Sequence, residues 1–167
     1  ALAIDYYKRF LNDCKSQDLL EMTKHLYEEY LVAANKGFHE GVEIINTENQ
    51  TPMEVLSKFE NKILYLDFWA SWCSPCISSI PKTMELAQHY SEKDVEIVFV
   101  GNSDQELSLE SAIKKYEITG KHLILNQDES KVWKNDFDVG GIPSYVLLDR
   151  NHIVVDYHAP DPGSQLI

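Results

Sequence analysis

The sequence predicts an α/β layer structure, a mixed central sheet flanked by helices, with an N-terminal helical extension. Three observations carry this expectation. From about residue 52 onward, strand-like and helix-like runs alternate. One of those runs, ILYLDFWA at 63–70, is apolar on both faces except for Asp67, as a strand buried within a sheet would be. The first 36 residues, by contrast, read as two helices, with apolar side chains recurring at helical spacing.

Residues 1–36 read as two helices. Tyr6 or Tyr7, Phe10, Leu11 and Cys14 recur along the first. Asp18 followed by Glu21 resembles a capping box that opens the second, which carries Leu19, Met22, Leu26 and Tyr30 on one face and has Gly37 as its stop. At 38–50 the character changes: Gly41, Asn46 and Asn49 surround a short VEII run, suggesting a linker into a new strand. TPMEVLSKF is a short helix with Thr51 as cap and Pro52 at its first position. After the 63–70 strand, SPCISSIPKTMELAQHY is a helix on which Ile77, Ile80, Met84 and Ala87 share a face, with Pro81 kinking it. VEIVFVG (95–101) is the next strand and LSLESAIKKYE (107–117) the next helix, followed by a short strand HLIL and a short helix KVWKNDF. SYVLLD and HIVVDYH form a hairpin across Arg150-Asn151, where Asn tolerates the turn backbone. The chain therefore divides into a helical segment, 1–40, and an α/β domain, 41–167.

Bulk properties narrow the partners. With 167 residues, 44% apolar and 25% charged, the chain has the balance of a soluble globular protein. The formal charge of −12 argues against nucleic acid or an anionic membrane surface, both of which are bound by neutralising negative charge. No apolar run approaches the length of a membrane span. The opening ALAIDYYKRF lacks the layout of a secretory signal, and with no initiator Met a removed leader is compatible with it.

The chemistry concentrates at Trp72-Cys73-Ser74-Pro75-Cys76. A Cys-x-x-Cys at a strand-to-helix junction sets its first thiol at the helix N-terminus, where unpaired N–H groups and the dipole favour a thiolate. The second thiol lies one turn inward, within bonding reach of the first. The competing readings are a zinc half-site and an ordinary core pair. A structural zinc needs four ligands, there is no second Cys pair, and His89 is too far along the same helix. Redox chemistry is the expectation, with no metal and no cofactor. Cys14, alone on an amphipathic helix, reads as a buried small hydrophobe, with a third redox thiol as the minor alternative.

These residues resemble a known family. LYLDFWASWCSPC resembles the active-site segment of the thioredoxin superfamily, Gly140-Gly141-Ile142-Pro143 its second signature, and Pro81, five residues after Cys76, the proline of its active-site helix. The resemblance covers about 42–160 and implies a thioredoxin-like fold. The long lead-in before the CxxC strand, and the stretch between VFVG and KKYEI, are similar to the TlpA/ResA-like branch. That branch implies a periplasmic or extracytoplasmic setting, membrane-tethered before processing. The family continues with a final helix where this sequence reads PGSQLI, so a truncated C-terminal helix is expected. Ser-Pro stands between the cysteines where thioredoxin has Gly-Pro. The resemblance also implies a cis Ile142–Pro143 bond beside the CxxC, exposing the Ile142 backbone to a substrate strand; the alternative is a trans proline that starts the SYVLLD strand.

Asp67 interrupts an apolar strand just before the CxxC. If it points inward its pKa should rise, and it could then move the proton of Cys76; otherwise it is a solvent-facing acid at a sheet edge. Trp72 is expected to shield the site and bind substrate with Ile142, while Trp69 and Trp133 pack the core. Asp104 and Glu106, at the carboxyl end of the VFVG strand, read as solvated loop acids, with tuning of Cys76 as the minor alternative. Two functions remain. One is a thiol–disulfide oxidoreductase acting on protein thiols and disulfides, with a redox partner protein as electron donor; Ile before Pro143, as in reducing members, favours the reductase direction. The other is a protein-binding module that uses the fold as scaffold.

Overall fold

Two compact units divide the chain, Ala1–Gly37 and Phe38–Ile167. A computed structural model describes residues 2–35, 37–102 and 106–164. In the first unit α1 (Leu2–Asp13) and α2 (Gln17–Asn35) are helical, as their periodicity predicts. Tyr7 stacks on Tyr27 with ring centroids 3.8 Å apart. This pairing selects a different stripe of α2 from the expected one: Leu20, Thr23 and Tyr27 are half-buried, while Leu19 and Met22 are exposed. The side chains of Leu26 and Tyr30 lie outside the described residues. Asp18 sits inside the first turn rather than at the cap, and the Leu20 N–H returns to the Ser16 carbonyl at 3.1 Å. An acid in that turn still complements the helix dipole.

The second unit is built on a six-stranded sheet of order β1-β4-β3-β2-β5-β6. Its strands are β1 (Val42–Ile45), β2 (Ile63–Trp69), β3 (Val95–Asn102), β4 (Gly120–Leu125), β5 (Ser144–Leu148) and β6 (Val154–Asp156). Its helices are α3 (Pro52–Leu56), α4 (Ser74–Tyr90), α5 (Glu106–Lys115) and α6 (Gln127–Asp136). β1 to β4 pair in parallel, and β5 and β6 are added antiparallel, so the sheet is mixed. β2 is central, between parallel β3 and antiparallel β5, which explains why its sequence is apolar on both sides.

Each face of the sheet has its own core. Leu64, Leu66 and Phe68 join Val98, Val100, Leu123 and Val146 on one face, under Val55 and Leu56 of α3 and Trp133 of α6. On the other, Trp69 and Phe99 pack with Ile80 of α4 and Leu109 and Ile113 of α5. Gly101, the register partner of Trp69, permits that approach: a Cβ there would lie 2.8 Å from Leu109 Cδ1 and 3.1 Å from the Leu123 carbonyl oxygen.

Local sequence sets the helix starts. Thr51 and Glu54 form a reciprocal capping box on α3, with Pro52 in the first turn. α6 is longer than KVWKNDF because Asn126 caps it. Its Oδ1 accepts the Asp128 and Glu129 N–H groups, both at 3.0 Å, and Glu129 returns the bond. The face of α4 turned to the sheet carries Cys76, Ser79, Ile80 and Thr83, whereas Ile77, Met84 and Ala87 are only half-buried. Two polar residues occupy the buried stripe because both find hydrogen-bond partners there. In the β5–β6 hairpin the left-handed residue is His152 (φ 61°), not Asn151. Asp149 Oδ1 holds the turn by accepting the Asn151 and Ile153 N–H groups at 2.8 and 2.9 Å. No described helix is long and apolar enough to cross a membrane.

Candidate active site

The chain leaves β2 at Trp69, passes Ala70-Ser71-Trp72 and enters α4 at Ser74. Cys73 is the cap of that helix. Its backbone is extended, its Sγ accepts the Cys76 N–H at 3.2 Å, and its carbonyl accepts the Ile77 N–H at 3.0 Å. A sulfur so placed faces the positive end of the helix dipole, which stabilises a thiolate once the pair is reduced. The two sulfurs are joined, with Cα atoms 5.3 Å apart. Cys73 is 5% exposed and Cys76 1%. In the oxidised pair both are nearly covered, and Cys73 keeps the larger opening.

Trp72, beside the pair in the chain, is 69% exposed. Trp69 and Trp133 are buried in the two cores, as expected. The Ile142–Pro143 bond is cis. Ile142 is half-buried and packs against the cluster that contains Cys73 and Cys76. Ser144 Oγ donates to the Gly141 carbonyl at 2.6 Å, fastening the loop ahead of β5.

Asp67 lies on the face of β2 that α4 covers, between Tyr65 and Trp69 at the period-two spacing of a strand. It is 1% exposed and sits on a central strand, so it is no edge acid. Burial pushes its pKa up to about 7, helped by the negative charge of Asp161 and opposed by a hydrogen bond from Thr83. That bond, Thr83 Oγ1 to Asp67 Oδ2, is 2.7 Å long. Asp67 Oδ1 has no partner among the described residues.

Four residues around this carboxyl were not singled out in the sequence. Tyr145, opposite Asp67 in the β2–β5 register, donates to Ser79 Oγ at 3.1 Å, and Ser79 donates to the Cys76 carbonyl at 2.8 Å. Burial pushes the Tyr145 pKa up to about 12, with Ser79 opposing. Tyr65 stacks on Tyr145 with centroids 5.6 Å apart and donates to the Pro160 carbonyl at 2.7 Å. Thr83 completes the set. The available signal was Ser79 and Thr83 at i, i+4 spacing on a helix with an otherwise apolar inner face. Asp104 lies outside the described residues, as does the Glu106 side chain at the start of α5. Cys14 is half-buried, with its Sγ 3.7 Å from the Ser16 carbonyl oxygen.

A mixed sheet with helices on both faces and a cysteine pair capping the helix after its central strand defines a class of redox domain. The model of a family described as thioredoxin-like matches residues 61–154, and the chain belongs to that family. It is similar to the thiol-disulfide oxidoreductase ResA of Geobacillus kaustophilus (strain HTA426), 33% identical over 96 residues that make up 58% of this chain and 53% of that protein. The chain spans about half the length of the curated relatives it matches. Among solved structures it resembles a Bacteroides vulgatus protein described as a thiol-disulfide oxidoreductase, with TM-score 0.60, 28% identity, and coverage of 65% of this chain and 70% of that one. It also resembles the thioredoxin domain of a thiol-disulfide oxidoreductase from Bacteroides vulgatus, with TM-score 0.55, 25% identity, and coverage of 60% and 71%.

Proposed function

We propose that this protein is a thiol–disulfide oxidoreductase that works as a reductant of protein disulfides. The observation that carries the reading is the Cys73–Cys76 pair at the N-terminus of α4, with Cys73 Sγ accepting a backbone N–H of the first turn. Reduced Cys73, as thiolate, attacks one sulfur of a substrate disulfide. A mixed disulfide forms and the substrate's other sulfur leaves as a thiolate. Cys76 gives its proton to Asp67, and its thiolate attacks Cys73 Sγ. The Cys73–Cys76 bond closes and the second substrate sulfur leaves with its electron pair. Two electrons have passed from protein to substrate, and a dithiol partner protein restores the reduced pair.

Substrate docking is assigned to Trp72, Ile142 and Pro143. Trp72 offers a large exposed ring beside the cysteines, and Ile142 lies against the cluster that holds them. The thioredoxin-like unit is the redox module, and the N-terminal helices are a separate segment. An extracytoplasmic setting, membrane-tethered before processing, follows from the TlpA/ResA-like resemblance.

Cys76→Ser tests the assignment, since it leaves the attacking thiol and removes the resolving one. The variant should accumulate a mixed disulfide through Cys73 with a disulfide peptide, and limiting iodoacetamide should label Cys73 of the reduced wild type first. Trapping through Cys14, or full disulfide reduction by a Cys73→Ser/Cys76→Ser double variant, would refute it and favour a scaffold role.

A further inference from the structure

We propose that Thr83 is the positioning residue for the proton acceptor: its hydroxyl holds Oδ2 of Asp67 and leaves Oδ1 as the atom that receives the Cys76 proton. This rests on the reading of Asp67 given above. Hydroxyls on helices of this chain commonly turn back on the preceding turn, as Thr23 does to the Leu19 carbonyl and Ser79 to the Cys76 carbonyl. The Thr83 hydroxyl instead points across to the sheet and meets Asp67 Oδ2 at 2.7 Å. Thr83 is fully buried, where valine would fill the same space without a polar atom to satisfy. A hydroxyl at that position therefore needs its partner, and the partner it finds is the carboxyl.

The surroundings give this bond its weight. Around Asp67 lie Tyr65 two residues along its own strand, Tyr145 and Phe99 as its register partners on β5 and β3, Thr83 from α4, and the charge of Asp161 from the segment after β6. None of these is a cation. Burial and the Asp161 charge both disfavour the ionised form, and Thr83 is the group that favours it. With Oδ2 occupied by a donor, a proton arriving on Oδ1 requires no rearrangement of the carboxyl. Cys76 loses the proton to Oδ1 directly or through one water, and the same bond to Thr83 persists in both states. Thr83 thus limits how tightly Asp67 holds the proton and fixes which oxygen takes it.

The test follows resolution of a preformed mixed disulfide by stopped flow across pH 5–9 in wild type, Thr83→Val, Thr83→Ser and Asp67→Asn. In Thr83→Val the inflection should move up by about one pH unit, slowing resolution below it about tenfold, because a hydrogen bond to the charged form is lost. Thr83→Ser should restore the wild-type profile, the initial attack by Cys73 should be unchanged in both, and Thr83→Ala serves the same comparison if the valine variant does not fold. A carboxyl carbon-13 titration of Asp67 in the reduced protein should move the same way. A wild-type inflection in Thr83→Val alongside slow resolution in Asp67→Asn overturns the role of Thr83 alone. A wild-type profile in Asp67→Asn overturns the proton acceptor itself, and Thr83 with it.

Discussion

Asp67 couples proton transfer to stability, because the fold keeps its carboxyl dry. Its pKa in the folded protein is pushed up to about 7 from an ordinary 3.8. Between those values the native state holds the proton that the unfolded chain has released. The contribution of Asp67 to stability is therefore most favourable below the unfolded value, falls as pH rises from about 4 to about 7, and stays at the lower level above. Asp67→Asn removes the titration. The variant should exceed wild type above pH 7 by up to roughly 4 kcal/mol, with the gap closing toward pH 4, as read from urea midpoints. A constant difference across that range would mean that the carboxyl does not titrate there. The same substitution should let mixed disulfide build up transiently, since Asn cannot take the Cys76 proton. The position of Asp67 was legible as one acid in an apolar strand. Its partners were not, because Ser79, Thr83 and Tyr145 acquire meaning only when β5 and α4 come together over β2.

At the scale of elements, two small features set how helices meet the sheet. Gly101 gives α5 its close approach, and alanine there must displace Leu109 or the backbone of β4. Gly101→Ala should cost about 1–3 kcal/mol by overpacking, and disturb the cluster that contains both cysteines. Asn126→Ala removes the acceptor for two N–H groups of α6 and should cost about 1 kcal/mol. Thermal melts of the two variants check both, and equal melting temperatures for wild type and Gly101→Ala would show that Leu109 relaxes freely. Strands and long helices were readable because period and apolar content carry them. The errors lay at edges and faces. The expected helix at 131–137 leaves out Asn126, whose Asn-x-x-Glu pattern caps α6, and the inner face of α4 includes two hydroxyls that hydrophobicity alone does not place there. In the turn at 149–153 propensity favours Asn151, but the two bonds to Asp149 Oδ1 leave the left-handed conformation to His152.

Across the whole molecule, a second buried group offsets the pH response of Asp67. His122 is buried on β4, stacked on Phe99 at 4.9 Å, with Nε2 3.0 Å from the Ile118 carbonyl oxygen. Burial lowers its pKa to about 4 from 6.5, against the pull of that carbonyl. Here the unfolded chain binds the extra proton, so stability is lost as pH falls through the same window in which Asp67 restores it. Wild-type stability should be nearly level between pH 4 and 6.5. Asp67→Asn should lose stability on acidification, and His122→Phe should gain it; parallel curves for all three proteins would refute the compensation. β1 enters at the edge and pairs only with β4, Val42 opposite Gly120, a closure over 78 residues against 32 between Ile63 of β2 and Val95 of β3. β2 and β3 are instead joined through the single helix α4 and buried on both faces. The β2–β3 pair therefore closes the shorter loop and should form before β1 is added. In hydrogen exchange the amides of Val42–Ile45 should give up protection well before those of Leu64–Trp69, making β1 a latch that opens while the redox centre stays assembled.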